Sequence, residues 1–131
     1  EPYNRVTAVK HLEQGTVVIF AGGSGCPFFS TDTAAVLRAA EIGADVTLMA
    51  KNIDAIYTAD PRKDPSAEPL RQVDYMHILE NHLTAIDITA TAFAMENKMP
   101  IHIFGLDNPK NISRVIMGEQ LGTIVKGGVQ K

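Results

Sequence analysis

The segment Gly22-Gly23-Ser24-Gly25-Cys26-Pro27-Phe28-Phe29-Ser30-Thr31 carries the densest chemistry in the chain. Closely spaced glycines permit positive φ and let a ligand oxygen approach backbone N–H groups. Ser24, Ser30 and Thr31 add hydroxyls, and a helix starting near Asp32 would aim its first amides at the same place. Together these features suit an anion, and phosphate in particular. Phe28 and Phe29 offer apolar surface to a base or sugar; alternatively they plug the core beneath a tight turn. Asp32 also has two readings. It orients lysines, a metal or a ribose hydroxyl, or it is a first-turn charge that complements the helix dipole.

A second group, Lys51, Asn52, Asp54, Tyr57 and Asp60, follows an apolar run that ends at Ala50. Tyr57 could border a purine, and Asp60, kept extended by Pro61, could accept from a ribose or base. The plainer reading is a solvated loop with Tyr57 closing the core. Asp87 reads from its position as a helix cap. The histidines (His11, His77, His82, His102) lack metal-ligand spacing, His77 and His82 lying on different helical faces, so no metal site is expected. Cys26 reads as a small turn residue, since nothing beside it marks a nucleophile.

Three familiar motifs are not matched. A dinucleotide fingerprint needs a third glycine where Phe28 stands, and Asp45 is at the wrong end of its strand for the ribose. A nucleophile elbow fails because Cys26 occupies its last glycine position. No Gly-x4-Gly-Lys-Ser/Thr run exists, which excludes a P-loop.

These residues need elements to position them. Asn4 or Thr7 caps a short helix that Gly15 stops. Val17 to Phe20 is a short β-branched and aromatic run, the pattern of a strand buried on both faces. Thr31 or Asp32 caps a helix over 32–42, with small residues on one face, and Gly43 ends it. Val46 to Ala50 is a second strand, so residues 17–50 predict a βαβ unit. Residues 51–69 read as a loop with three prolines, long enough to have a job. Asp74 caps a helix to about Asn81, and Asp87 caps another that Pro100 ends. Ile101 to Phe104 is a third strand, 109–116 a helix stopped by Gly118, and Thr123 to Val125 a last strand. The sum is an α/β fold, a three-layer αβα sandwich with a mostly parallel sheet. Ligands in such folds sit beyond the carboxyl ends of the strands, where the first two polar groups fall.

Several of these stretches resemble the bacterial uridylate kinases of the amino acid kinase family. They are Val17 through Asp32, Ala39-Ala40-Glu41-Ile42, Ala44-Asp45-Val46 and Tyr57-Thr58-Ala59-Asp60-Pro61. Ile101-His102-Ile103-Phe104, Val115 to Glu119 and Gly122-Thr123 extend the likeness over nearly the whole chain. The Pro-Phe-Phe-Ser-Thr-Asp run separates it from kinases of the family that act on carboxylates or carbamate. The resemblance implies transfer of the ATP γ-phosphate to UMP, giving UDP, with Mg²⁺. It implies UMP contacts from Ser24, Gly25, Cys26, Pro27, Phe28, Phe29, Ser30 and Thr31. Lys51, Asn52, Tyr57 and Asp60 are implied at the ATP site, and Asp32 and Asp87 as the acidic catalytic positions. Cys26 stands where the family usually has Asn, and Ala55 where it usually has Gly. A cytoplasmic homohexamer activated by GTP and inhibited by UTP is implied as well. Residues 1–131 would be the C-terminal part of one amino acid kinase domain, inactive alone, with the phosphate-binding lysine and most of the GTP site elsewhere. The alternatives are a family member with a different acceptor, or a non-catalytic nucleotide-binding regulatory module.

Composition agrees with a folded domain and narrows its partners. The 131 residues are 45 % hydrophobic and 21 % charged, an ordinary balance for a chain that buries a core. The longest apolar run, Val17 to Ala21, is too short to span a bilayer, and no secretory signal opens the chain. Net charge −3 argues against non-specific nucleic-acid binding, and a single cysteine excludes an internal disulfide.

Overall fold

The structure, a computed structural model, describes residues 1–129. Local chemistry places most helices where the sequence puts them. Asn4 caps α1 (Arg5–Glu13), its side chain accepting from the Thr7 N–H at 3.1 Å. Asp74 caps α3 (Tyr75–Glu80) through the Met76 N–H, and Asp87 caps α4 (Ile88–Glu96) through the Ala90 N–H. The cap of α2 (Thr31–Ile42) is Ser30, not Thr31 or Asp32 as expected; Gly43 ends the helix at φ 70°. α5 (Lys110–Ile116) follows Pro109 as expected.

The main sheet has four strands in the order β1 (Thr47–Lys51), β5 (Ile101–Gly105), β6 (Thr123–Val125) and β4 (Gln72–Val73). β1 runs parallel to β5 with Met49 opposite Ile103, and β4 runs parallel to β6. Only the β5–β6 contact is antiparallel. The architecture is therefore α/β with a mostly parallel sheet. Met49, Ile101, Ile103 and Val125 are buried in one cluster with Val36 and Ala39 of α2, Ala90 and Ala94 of α4, and Ile78 of α3. The small residues of 32–42 suit close packing against a sheet; in the structure the alanines of α2 also let it lie close to α4. Residues 51–69 are mainly loop, but β2 (Ile56–Tyr57) and β3 (Pro69–Leu70) pair within or beside it as an antiparallel ribbon.

One expectation is overturned. Residues 17–20 form no strand, and Val17 and Ile19 are 86 % and 88 % exposed. Phe20 packs edge-on against Tyr3, with ring centroids 5.6 Å apart, but the backbone of the segment joins neither sheet. The βαβ unit over 17–50 is accordingly not formed, and β1 is an edge strand. A β-branched run reports that side chains suit a pleated, buried surface; it cannot report whether a neighbouring strand lies in the same chain.

Candidate functional site

The glycine-rich turn adopts the backbone that its composition allows. Gly22, Gly23 and Gly25 have φ of 87°, 66° and 74°. Ser24 folds back locally, its Oγ accepting from the Cys26 N–H at 3.1 Å. Cys26 is exposed with a free thiol. Phe28 is at φ 72° and fully exposed, and Phe29 is 53 % exposed, so the Phe pair does not plug the core.

From this turn the chain enters α2 beside the start of α4, and the two N-termini are stitched together. The Asp87 carboxylate accepts from the Ala90 N–H at 2.8 Å, from the Thr33 hydroxyl at 3.2 Å, and from the Ser30 hydroxyl. Burial would push the Asp87 carboxyl up. The bonds from Ser30, the Ala90 amide, Thr33 and the Thr89 amide outweigh it and hold the group below the ordinary carboxylate value. Asp87 is thus both a helix cap and a tie between helices.

Asp32 lies in the first turn of α2, where a negative charge is favoured. Its Oδ2 meets the Lys51 ammonium at 2.6 Å, and Lys51 also donates to the Ala85 carbonyl at 2.6 Å. Both side chains are about four-fifths shielded from water, at 21 % and 22 % exposure. β1 positions Lys51 as its last residue, and α2 positions Asp32. The pair therefore joins the exit of a strand to the N-terminus of a helix.

Two clefts open on either side of this pair. The larger, about 1460 Å³, is lined by Lys51, Asn52, Asp54, Tyr57, Asp60, Arg62 and Lys63, with Gly105 and Asp107 from the end of β5. The smaller, about 770 Å³, is lined by Phe28, Phe29, Ser30, Asp32, Thr33 and Asp87. His82, Leu83 and Thr84 line both, so they form a shared wall. Of the residues singled out in the sequence, Lys51, Asn52, Tyr57 and Asp60 come together in the first cleft. Phe28, Phe29, Ser30, Asp32 and Asp87 come together in the second. Ser24, Gly25, Cys26, Pro27 and Thr31 line neither.

Tyr57 donates to the Asp54 carboxylate at 3.1 Å; burial, then this bond and the nearby charge, pushes its phenol up. Asp60 is already engaged. Its carboxylate accepts from the Arg62 guanidinium at 3.1 Å and from the Arg62 amide at 3.0 Å, which hold it below its usual range. Any nucleotide contact from Asp60 must compete with that local pair. Among the described residues, no three His, Cys, Asp or Glu side chains stand together to hold a metal ion.

Sequence reasoning missed Thr33, Arg62, Lys63 and the 82–84 wall. Arg62 and Lys63 had a signal, because they directly follow Asp60-Pro61 in a loop already suspected. Thr33 and residues 82–84 had none. They matter only through neighbours 54 or more residues away in the case of Thr33, and through the meeting of two clefts in the case of the wall.

The fold is shared with solved kinases. The UMP kinase from Bacillus anthracis is 37 % identical with a TM-score of 0.93, over 98 % of this chain and 53 % of that one. The UMP kinase from Ureaplasma parvum is 33 % identical with a TM-score of 0.86, over 95 % of this chain and 53 % of its own length. The uridylate kinase from Archaeoglobus fulgidus is 29 % identical with a TM-score of 0.75, over 95 % and 58 % of the two chains. The chain thus spans little more than half the length of these structures. A model of the amino acid kinase family matches residues 1–105. With a match over most of its length, the chain belongs to the amino acid kinase family.

Proposed function

We propose that this chain supplies the acceptor cleft and the nucleoside side of the donor cleft of a kinase that transfers the γ-phosphoryl group of ATP to UMP. The observation that carries the reading is the pair of clefts sharing one wall, with the Lys51–Asp32 pair between them. Phosphoryl transfer needs donor and acceptor held in line and the charge on the moving group offset. An acceptor phosphate oxygen bonds to the γ-phosphorus while the bridge to the β-phosphate breaks, and both events fall at such a seam.

The chemistry of each cleft supports its assignment. In the smaller cleft Asp32 and Asp87 would repel a bare phosphate and accept well from ribose hydroxyls or a base N–H. Phe28 and Phe29 at its rim offer apolar surface to the pyrimidine. The acceptor phosphate then points to the seam, where the Lys51 ammonium is positioned by Asp32 and the Ala85 carbonyl. In the larger cleft Tyr57 borders the donor nucleoside, and Asn52, Arg62 and Lys63 offer donors. Mg²⁺ belongs with the ATP as its substrate complex. No residue of this chain is assigned to it.

The lysine and glycine-rich loop for the transferred phosphate are placed in a segment outside this chain, which is read as the C-terminal part of one amino acid kinase domain. A hexamer, GTP activation and UTP inhibition belong to the same proposal. The test is a coupled assay of the intact protein with ATP and a panel of UMP, CMP and small carboxylates. UDP formation with clear preference for UMP is expected. Phosphorylation of a carboxylate with UMP inert would overturn the reading.

A further inference from the structure

Gly122 and Thr123 line neither cleft, yet their geometry reaches one of them. Gly122 has φ +69°, and a Cβ there would stand 1.9 Å from the Ile103 carbonyl oxygen. Only a residue without a side chain lets the backbone cross β5 this closely in that conformation. The crossing delivers Thr123 to a fully buried position at the start of β6. There its hydroxyl accepts from the Ile56 N–H at 2.8 Å and donates to the Leu70 carbonyl at 2.5 Å. Ile56 and Leu70 are also paired with each other across the β2–β3 ribbon. One side-chain oxygen therefore closes the outer edge of one rung and ties both strands of the ribbon to the main sheet.

That tie matters because the ribbon is only two pairs long. A ribbon so short does not hold its own geometry in water. Yet it carries Tyr57 directly into the larger cleft, and Asp60, Arg62 and Lys63 follow from its end.

We propose that Thr123 is a positioning residue for the donor cleft: its buried hydroxyl sets the ribbon against β6 so that the Tyr57–Asp60 wall can receive a nucleoside. The inference rests on ATP as the occupant of that cleft. Removing the hydroxyl takes one partner each from the buried Ile56 N–H and the half-buried Leu70 carbonyl, and at Ile56 the lost partner costs more than the bond itself contributes.

The test uses Thr123→Val, which keeps the shape and removes the hydroxyl, and Thr123→Ser, which keeps the hydroxyl, both in the intact protein. Thr123→Val is expected to raise the KM for ATP about tenfold while the KM for UMP moves less than about twofold. Thr123→Ser is expected to restore the ATP value. An equal rise in both KM values, or no rise for ATP in a folded Thr123→Val protein, overturns the proposal. A readout on the wild-type protein does not depend on any variant folding. The Ile56 amide is expected to exchange with solvent more slowly than the amides of residues 62–66, and equal exchange overturns the tie. If wild-type protein takes up no ATP in a calorimetric titration, the donor reading itself falls, and the role given to Thr123 falls with it even where Ile56 stays protected.

Discussion

The Asp87 carboxylate accepts from its own helix through Ala90 and from α2 through Ser30 and Thr33. Asp87→Ala removes a cap and leaves two hydroxyls in search of partners. The expected loss is about 1–2 kcal/mol, read as a lower urea midpoint of the intact protein. The pH dependence follows from the direction of the shift. A carboxyl held below its unfolded value stabilises the fold above the ordinary Asp pKa and loses that contribution as pH falls through the lowered folded value. The stability gap between wild type and Asp87→Asn should therefore be widest near neutral pH and close as pH falls below the ordinary Asp pKa. A gap that widens on acidification would contradict the assignment. Half of this residue's role was legible in the sequence, because capping is local and three or four residues settle it. The half that reaches Ser30, 57 residues away, was not.

Elements differ in how far local chemistry commits them. Asp74 and Asp87 cap the helices expected of them, and Asn4 rather than Thr7 caps the first. Ser30, Thr31 and Asp32 are three capping residues in a row, and the path of the glycine turn chose among them. Glycines separate in the same way. Gly43 and Gly122 both sit near φ +70°, but a Cβ at Gly43 meets nothing within 4 Å, while one at Gly122 would collide with the β5 backbone. Gly43→Ala is expected to cost about 1 kcal/mol, the ordinary left-handed penalty. Gly122→Ala is expected to cost more than about 3 kcal/mol, because the backbone it strikes cannot yield without breaking β5 pairing. Thermal unfolding of both variants checks the contrast, and equal losses would show that the crossing is looser than described.

At the scale of the whole molecule, Val17 and Ile19 stand in water on a segment outside both sheets, and β1 ends the sheet with an unpaired edge. Ile116 and Met117 add exposed apolar surface at the end of α5. Free strand edges beside apolar side chains invite pairing with another chain. Residues 1–131 prepared alone are expected to self-associate in light scattering and to form no UDP in the coupled assay. A clean monomer at high concentration, or measurable turnover, would contradict the reading that a further segment covers exposed apolar surface of this chain and completes the site. No helix among the described residues is long and apolar enough to cross a membrane.

The sequence by itself determined the helices and the caps of all but α2, the strands expected at 46–50, 101–104 and 123–125 to within a residue, and part of each group of side chains that lines the clefts. Those depend on side-chain period, capping chemistry and glycine conformations, all of which act within a few residues. Tertiary structure alone decided that Lys51 meets Asp32 between the clefts, that Thr123 reaches the Ile56–Leu70 rung, and that residues 17–20 find no partner. The first two are meetings of groups far apart in the chain, whose energy exists only once the backbone has brought them within a few ångströms; the third turns on whether a strand stands beside the segment, which no local pattern encodes.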